Sequence, residues 1–202
     1  MSNIFDKIMF RLKNYFGKKE VVPSIALKRE VIESYRVFYQ PTIFIETGTF
    51  LGDTVEHFKN KFQSLISVEL SEDLANKAKI RFENDKQVQI IQGDSSNILP
   101  ALVDKIKEPI LFWLDGHYSS EFFVKDEFIK TAKGDSNTPI VKELEIILAA
   151  CIKPIILIDD ARLFNGTNDY PSINAIKTQV NETGKSFTIE VSNDIIQILP
   201  QI

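Results

Sequence analysis

From residue 42 onward the sequence alternates between short runs of consecutive apolar residues and longer stretches whose apolar residues recur every three or four positions. The short runs fall at Thr42–Glu46, Ser64–Glu69, Val88–Ile91, Ile110–Asp115 and Pro154–Asp159, and are rich in Ile, Val, Leu and Phe. A strand needs apolar residues on both of its faces when helices cover both sides of the sheet, which is the situation of parallel strands. Helical spacing occupies the intervals at Asp53–Phe62, Glu72–Asn84, Ile98–Ile106 and Pro139–Ala150. Thr138 before Pro139 marks one start, a capping hydroxyl ahead of a residue whose fixed φ suits the first helical position. This alternation restricts the chain to an α/β fold, with a doubly wound, mostly parallel sheet and right-handed crossovers. The tail differs: "SFTIEVSNDIIQIL" holds two alternating runs joined at Ser192-Asn193-Asp194, a hairpin signal that adds an antiparallel pair and brings the sheet to seven strands. Before the first strand, Ser24–Tyr39 reads as a helix that Pro41 ends. The expected organisation is therefore an N-terminal helical extension over residues 1–40 and one α/β domain over 41–202.

In open parallel sheets, ligands bind outside the carboxyl ends of the strands. Every parallel strand here delivers a carboxylate to that end: Glu46, Glu69, Asp94, Asp115 and the pair Asp159-Asp160. Acids gathered on one rim repel each other unless a cation or a donor-rich ligand offsets them. An acid at the end of the second strand is placed to accept hydrogen bonds from a ribose diol, and Asp94 with Ser95, one strand over, could meet an adenine edge. The first strand leaves through "ETGTFLGDT", where Gly48 and Gly52 permit positive φ and the following helix offers its N-terminal N–H groups to an anion. The spacing is not GxGxxG, so a dinucleotide fingerprint is absent. The same glycines could serve only close helix–strand packing.

The segments "FIETGTFLGDT", "SVEL", "IIQGDS", "FWLDGHYS" and "ILIDDAR", in this order, resemble class I S-adenosylmethionine-dependent methyltransferases, which are Rossmann-like, over roughly residues 44–199. The resemblance implies that Glu46, Thr47, Gly48, Thr49, Gly52, Asp53 and Thr54 surround the methionine end of S-adenosylmethionine. It also implies that Glu69 and Leu70 meet the ribose, that Gly93, Asp94 and Ser95 meet the adenine, and that Asp115 touches the cofactor. A nearer likeness is to the metal-dependent O-methyltransferases of the macrocin type. In that family an Asp after the fourth strand and an Asp pair after the fifth hold magnesium, and Asp115, Asp159 and Asp160 stand at the matching positions. Hard divalent cations such as Mg2+ favour carboxylate oxygens, and a bound cation lowers the pKa of a coordinated hydroxyl. Asp115 could instead touch only the cofactor's amino group or cap a turn. His117 is the candidate general base because imidazole titrates near neutral pH; a structural His bonded to a loop carbonyl fits the same position. The implied activity is methyl transfer from S-adenosylmethionine to a hydroxyl of a small, sugar-containing molecule. Two alternatives stand beside it: a non-catalytic nucleoside-binding module, and a nucleotide-sugar enzyme using the same acids.

The long connection "YSSEFFVKDEFIKTAKGDSNT" could cover the cleft, with Phe122, Phe123 and Phe128 as apolar contacts and Gly134 as a hinge, or could be a plain surface insertion. Arg162 and Lys133 could meet an acidic substrate or be simply solvated. A net charge of −4 provides no basic field for nucleic acid. Cys151 is the sole cysteine, which excludes an internal disulfide and a CxxC zinc site. No run approaches the ~20 apolar residues of a membrane span, and the N-terminus has no signal-peptide pattern, so the expected setting is cytoplasmic. Residues 2–19 form an amphipathic, basic pattern that would suit an anionic membrane surface, a second copy in a homodimer, or the chain's own body.

Overall fold

The structure is a computed structural model and describes residues 22–201, apart from 105, 118–120, 125–126, 131, 133, 135 and 151–152. The amphipathic pattern at 2–19, and with it the membrane and homodimer expectations, lies outside these residues, as do Lys133 and Cys151. Helix α1 (Ile25–Tyr39) starts where the Ser24 hydroxyl accepts the Leu27 N–H at 3.3 Å. It stops at Gln40, left-handed at φ 53°, whose N–H returns to the Arg36 carbonyl ahead of Pro41. There follow β1 (Ile43–Thr47), α2 (Asp53–Phe58), β2 (Ser64–Glu69), α3 (Glu72–Arg81), β3 (Val88–Gln92), α4 (Ser95–Val103) and β4 (Ile110–Leu114). The remainder comprises β5 (Glu121–Val124), β6 (Glu127–Lys130), α5 (Ile140–Ala149), β7 (Ile155–Ile158), a 3-10 turn at Ala161–Leu163, α6 (Ile173–Glu182), β8 (Phe187–Ser192) and β9 (Ile195–Pro200).

Seven strands form one sheet in the order β3-β2-β1-β4-β7-β9-β8. The first five are mutually parallel, and β9 runs antiparallel to both β7 and β8. The expected mixed sheet with its terminal hairpin is present; Asn193 and Asp194, both at positive φ, make the two-residue turn. The chain winds outward from β1 to β3, then returns to the other side of β1 to lay down β4. That reversal sends the loops after β1 and β4 apart and opens a crevice between them.

Side chains alternate across the strands and fill two layers. In β4, Leu111 and Trp113 join Val31, Ile32 and Tyr35 of α1 and the aromatics Phe58 and Phe82 on one face. Ile110, Phe112 and Leu114 join Leu144 and Ile147 of α5 and Ile176 of α6 on the other. α1 is thus part of the core, with Tyr35 fully buried and its hydroxyl bonded to Gln197 of β9.

The structure differs from the sequence expectation in several places: α2 ends at Phe58 rather than Phe62, and Pro139 is the N-cap of α5 rather than its first helical residue, with Thr138 Oγ1 accepting the Ile140 N–H at 3.3 Å. α4 begins at Ser95, three residues early, because Asp94 caps it with a side-chain bond from Ser96 N–H. Within the stretch read as an irregular connection, β5 and β6 pair antiparallel as a separate two-stranded sheet, with Phe123 opposite Phe128. α6, to which the periodicity assigned no element, is started by Ser172 accepting the Ala175 N–H at 3.1 Å. No helix among the described residues is long and apolar enough to cross a membrane.

Candidate active site

A cavity of about 870 Å³ lies along the carboxyl ends of the parallel strands, across the reversal between β1 and β4. Gly48, Thr49, Asp53, Thr54, Glu69, Leu70, Gly93, Asp94, Ser95, Asp115, His117, Asp159 and Asp160 all line it. Of the residues expected around a cofactor, Glu46, Thr47 and Gly52 do not line it and stand behind its wall.

The wall is built from the β1 end. Glu46 is 1% exposed; Ser67 Oγ donates to its Oε2 at 2.6 Å and shares a second 2.6 Å contact with Thr49 Oγ1. Burial pushes the Glu46 carboxyl up to about 8, and the charges of Asp115 and Glu69 add to the push. Glu69 fastens the glycine loop: Oε2 accepts the Phe50 N–H at 2.8 Å and Oε1 accepts the Ser71 N–H at 2.9 Å. Gly48, at φ 89°, lies so close to β4 that a Cβ there would stand 2.3 Å from the Asp115 carbonyl oxygen. At Gly52, φ 78°, a Cβ would meet the Phe82 ring at 2.7 Å. Both glycines thus answer to neighbours within the chain, and Gly48 also faces the cavity.

At one end, Asp94 Oδ1 accepts from Ser96 N–H at 2.8 Å and from Ser96 Oγ at 2.7 Å, so the residue expected at an adenine also caps α4. Beneath Gly116 lies a group the sequence reading passed over. Glu143 of α5 is 1% exposed, with the hydroxyls of Ser95 and Thr47 beside its carboxyl. Burial raises the Glu143 carboxyl to about 7. A Glu in an amphipathic helix carries no sequence signal for this, since the pattern does not say that the turn after β4 will close over it.

At the other end the acids meet cations. His117 Nε2 stands 3.0 Å from Asp160 Oδ2 and 3.5 Å from Asp115 Oδ1. Lys28 of α1 places Nζ 2.6 Å from Asp159 Oδ1 and 2.9 Å from Asp160 Oδ1. Arg162 Nη1 donates to Asp160 Oδ1 at 2.8 Å and also pairs with Asp194. Burial opposes charge on Asp160, yet His117, Lys28 and Arg162 hold its carboxyl well below the usual range. Burial and the Asp159 charge push the Asp115 carboxyl upward, against the opposing charges of His117 and Lys28. Burial would lower the His117 pKa, but the bond to Asp160 and the Asp115 charge outweigh it and raise it. Ligand atoms of Asp115, His117 and Asp160 all lie within 4.8 Å of one another, close enough to converge on one ion. Of the expected metal set, Asp115 and Asp160 are in this group; Asp159 instead takes Lys28 and accepts the Asp160 N–H at 2.7 Å.

The sheet order and the terminal hairpin decide the architecture. The chain has the fold of the class I methyltransferases. Among solved structures it is similar to the O-methyltransferase TomG of Streptomyces achromogenes, a complex with S-adenosylmethionine, at 13% identity and TM-score 0.55, covering 98% of this chain and 90% of that one. It is also similar to the Podospora anserina methyltransferase PaMTH1 bound to S-adenosylhomocysteine, at 13% identity and TM-score 0.56, covering 100% of this chain and 89% of that one. No protein-family model and no curated protein matches the sequence.

Proposed function

We propose that the chain is an S-adenosylmethionine-dependent O-methyltransferase acting on a hydroxyl of a small, sugar-containing molecule. The observation that carries the reading is a single cavity on this fold, with Glu69 and Asp94 along one end and Asp115, His117 and Asp160 gathered at the other. The cofactor would lie with its adenosine toward Asp94 and its sulfonium toward Asp115, leaving the acceptor hydroxyl beside the acid–imidazole group. Methyl transfer demands little beyond in-line positioning, so the chain's own part is to orient the two reactants and exclude water. Asp115, His117 and Asp160 would hold a divalent ion, Mg2+ or another, which supplies polarisation of the acceptor hydroxyl when bound. His117 is the imidazole on the cavity wall among the described residues, and Asp160 fixes its ring through Nε2; it is the group proposed to accept the hydroxyl proton when no ion is bound, because an imidazole that ligates an ion has no lone pair left for a proton.

Calorimetry with S-adenosylmethionine, followed by mass-detected methyl transfer to a panel of hydroxylated acceptors, tests the reading. Asp160→Ala is expected to lower transfer at least ~100-fold, the scale of removing a group that acts on the reacting hydroxyl, while cofactor affinity stays within about threefold. Cofactor binding with no product on any acceptor would leave a non-catalytic nucleoside-binding module. A sugar nucleotide that raises the melting temperature where S-adenosylmethionine does not would make the chain a nucleotide-sugar enzyme. Undiminished transfer in the presence of a chelator would remove the divalent ion and leave the transferase.

A further inference from the structure

We propose that Lys28 is a built-in cation for the acidic cluster and sets how tightly the cavity can hold a divalent ion; this rests on the cation reading of Asp115, His117 and Asp160 above. The Lys28 ammonium meets three oxygens of two carboxylates: 2.6 and 2.7 Å to the pair on Asp159, and 2.9 Å to Oδ1 of Asp160. An ammonium has three donors and no acceptor, so this arrangement satisfies it in full. The contact belongs to a built part of the molecule. The Lys28 side chain is 15% exposed and that of Asp159 5%. The helix that carries Lys28 is held to the sheet by buried Val31, Ile32 and Tyr35, and Arg29 Nη2 ties it to the Asp53 carbonyl at 2.8 Å.

Both oxygens of Asp160 are engaged, Oδ1 by Lys28 and Arg162 and Oδ2 by His117. A divalent ion drawing on Asp160 therefore meets a fixed positive charge on the same carboxylate. In a partly buried site that repulsion is screened far less than in water. The cluster also has less need of an external ion, because Lys28 and Arg162 already offset two of its charges. Residue 28, on a helix distant in sequence from every acid, thus determines the cation requirement.

Titration of the full-length chain with Mn2+, following the electron paramagnetic resonance signal of the free ion, reads this without an activity assay. Lys28→Met is expected to tighten the Mn2+ Kd by about tenfold or more over the parent, the order expected for removing one nearby charge. Lys28→Arg, which keeps the charge, is expected to restore the parent value, and adding Asp160→Ala to Lys28→Met is expected to abolish binding. Lys28→Met leaves Asp159 buried without its partner; if that variant does not fold, Lys28→Gln, whose amide still donates to Asp159 but carries no charge, is expected to bind more tightly than the parent. Equal, Asp160-dependent Kd values for the parent and for the variants lacking Lys28 would overturn the role of Lys28 and leave the divalent-ion site standing. Absence of Mn2+ binding in every variant would overturn that site, and the role of Lys28 with it.

Discussion

Replacing Gly48 with alanine is expected to cost roughly 2–5 kcal/mol of stability and to weaken S-adenosylmethionine binding at least ~10-fold. Two penalties add. The first is conformational: φ at Gly48 is 89°, a region that a Cβ makes unfavourable by about 1–2 kcal/mol. The second is steric: the new Cβ would sit 2.3 Å from the Asp115 carbonyl oxygen and 2.8 Å from its carbon. Both partners are backbone at the ends of adjacent strands, so neither can rotate away, and relief requires β1 and β4 to separate at the cavity floor. The same shift moves Asp115 relative to Gly48 and Thr49, which line the cavity on the opposite side of the reversal. At about 2–4 °C per kcal/mol for a chain of this length, the melting temperature should fall by roughly 4–20 °C. Calorimetric titration of the variant, carried out well below its own melting temperature, separates the binding loss from unfolding. A variant with the parent's stability and cofactor affinity would show that the close approach at Gly48 does not govern this site.

Gly48 also shows how far the sequence could be read. Its freedom of backbone was legible in "ETGTF", but the atom that requires it, the carbonyl of Asp115, lies 67 residues further on and belongs to another strand. The strands and their carboxylate ends were legible because period and composition are local, and the sheet then brings those ends together whatever the loops do. Asn193 and Asp194 announced their turn for the same reason, since both tolerate positive φ. The partners of the acids were not legible. Lys28 looks like any lysine on an amphipathic helix, and only the packing of α1 across the sheet sets its ammonium on Asp159, 131 residues away. Asp94 and Glu69 were expected to face a ligand, and both also spend oxygens on backbone N–H groups, Asp94 to start α4 and Glu69 to hold the loop. Local chemistry of that kind is invisible until the backbone around it is placed. The pairing of β5 with β6 was obscured because their charged and apolar residues do not alternate cleanly over runs of only four.

Glu46 permits a pH experiment whose sign follows from its burial. Its carboxyl titrates near 8 in the folded chain, against an ordinary value of 4.5. Because the folded value is the higher one, the folded state retains a proton that the unfolded chain has released between those two pH values. Its contribution to stability is therefore fully present below about 4.5, declines as pH rises, and is lost above about 8. With about 1.36 kcal/mol per pKa unit, the swing amounts to roughly 4–5 kcal/mol. Glu46→Gln keeps the shape and, in its amide oxygen, an acceptor for the 2.6 Å bond from Ser67 Oγ, but removes the titration. Urea unfolding at pH 5 and pH 9 should thus show the variant gaining about 4 kcal/mol on the parent between the two conditions. Other buried acids, including Glu143, bend the parent's curve as well, but they are common to both proteins and cancel in the difference. If that difference stays flat across the range, Glu46 is ionised inside the fold, and the wall behind the cavity must contain water or a cation that neutral Glu46 does not require.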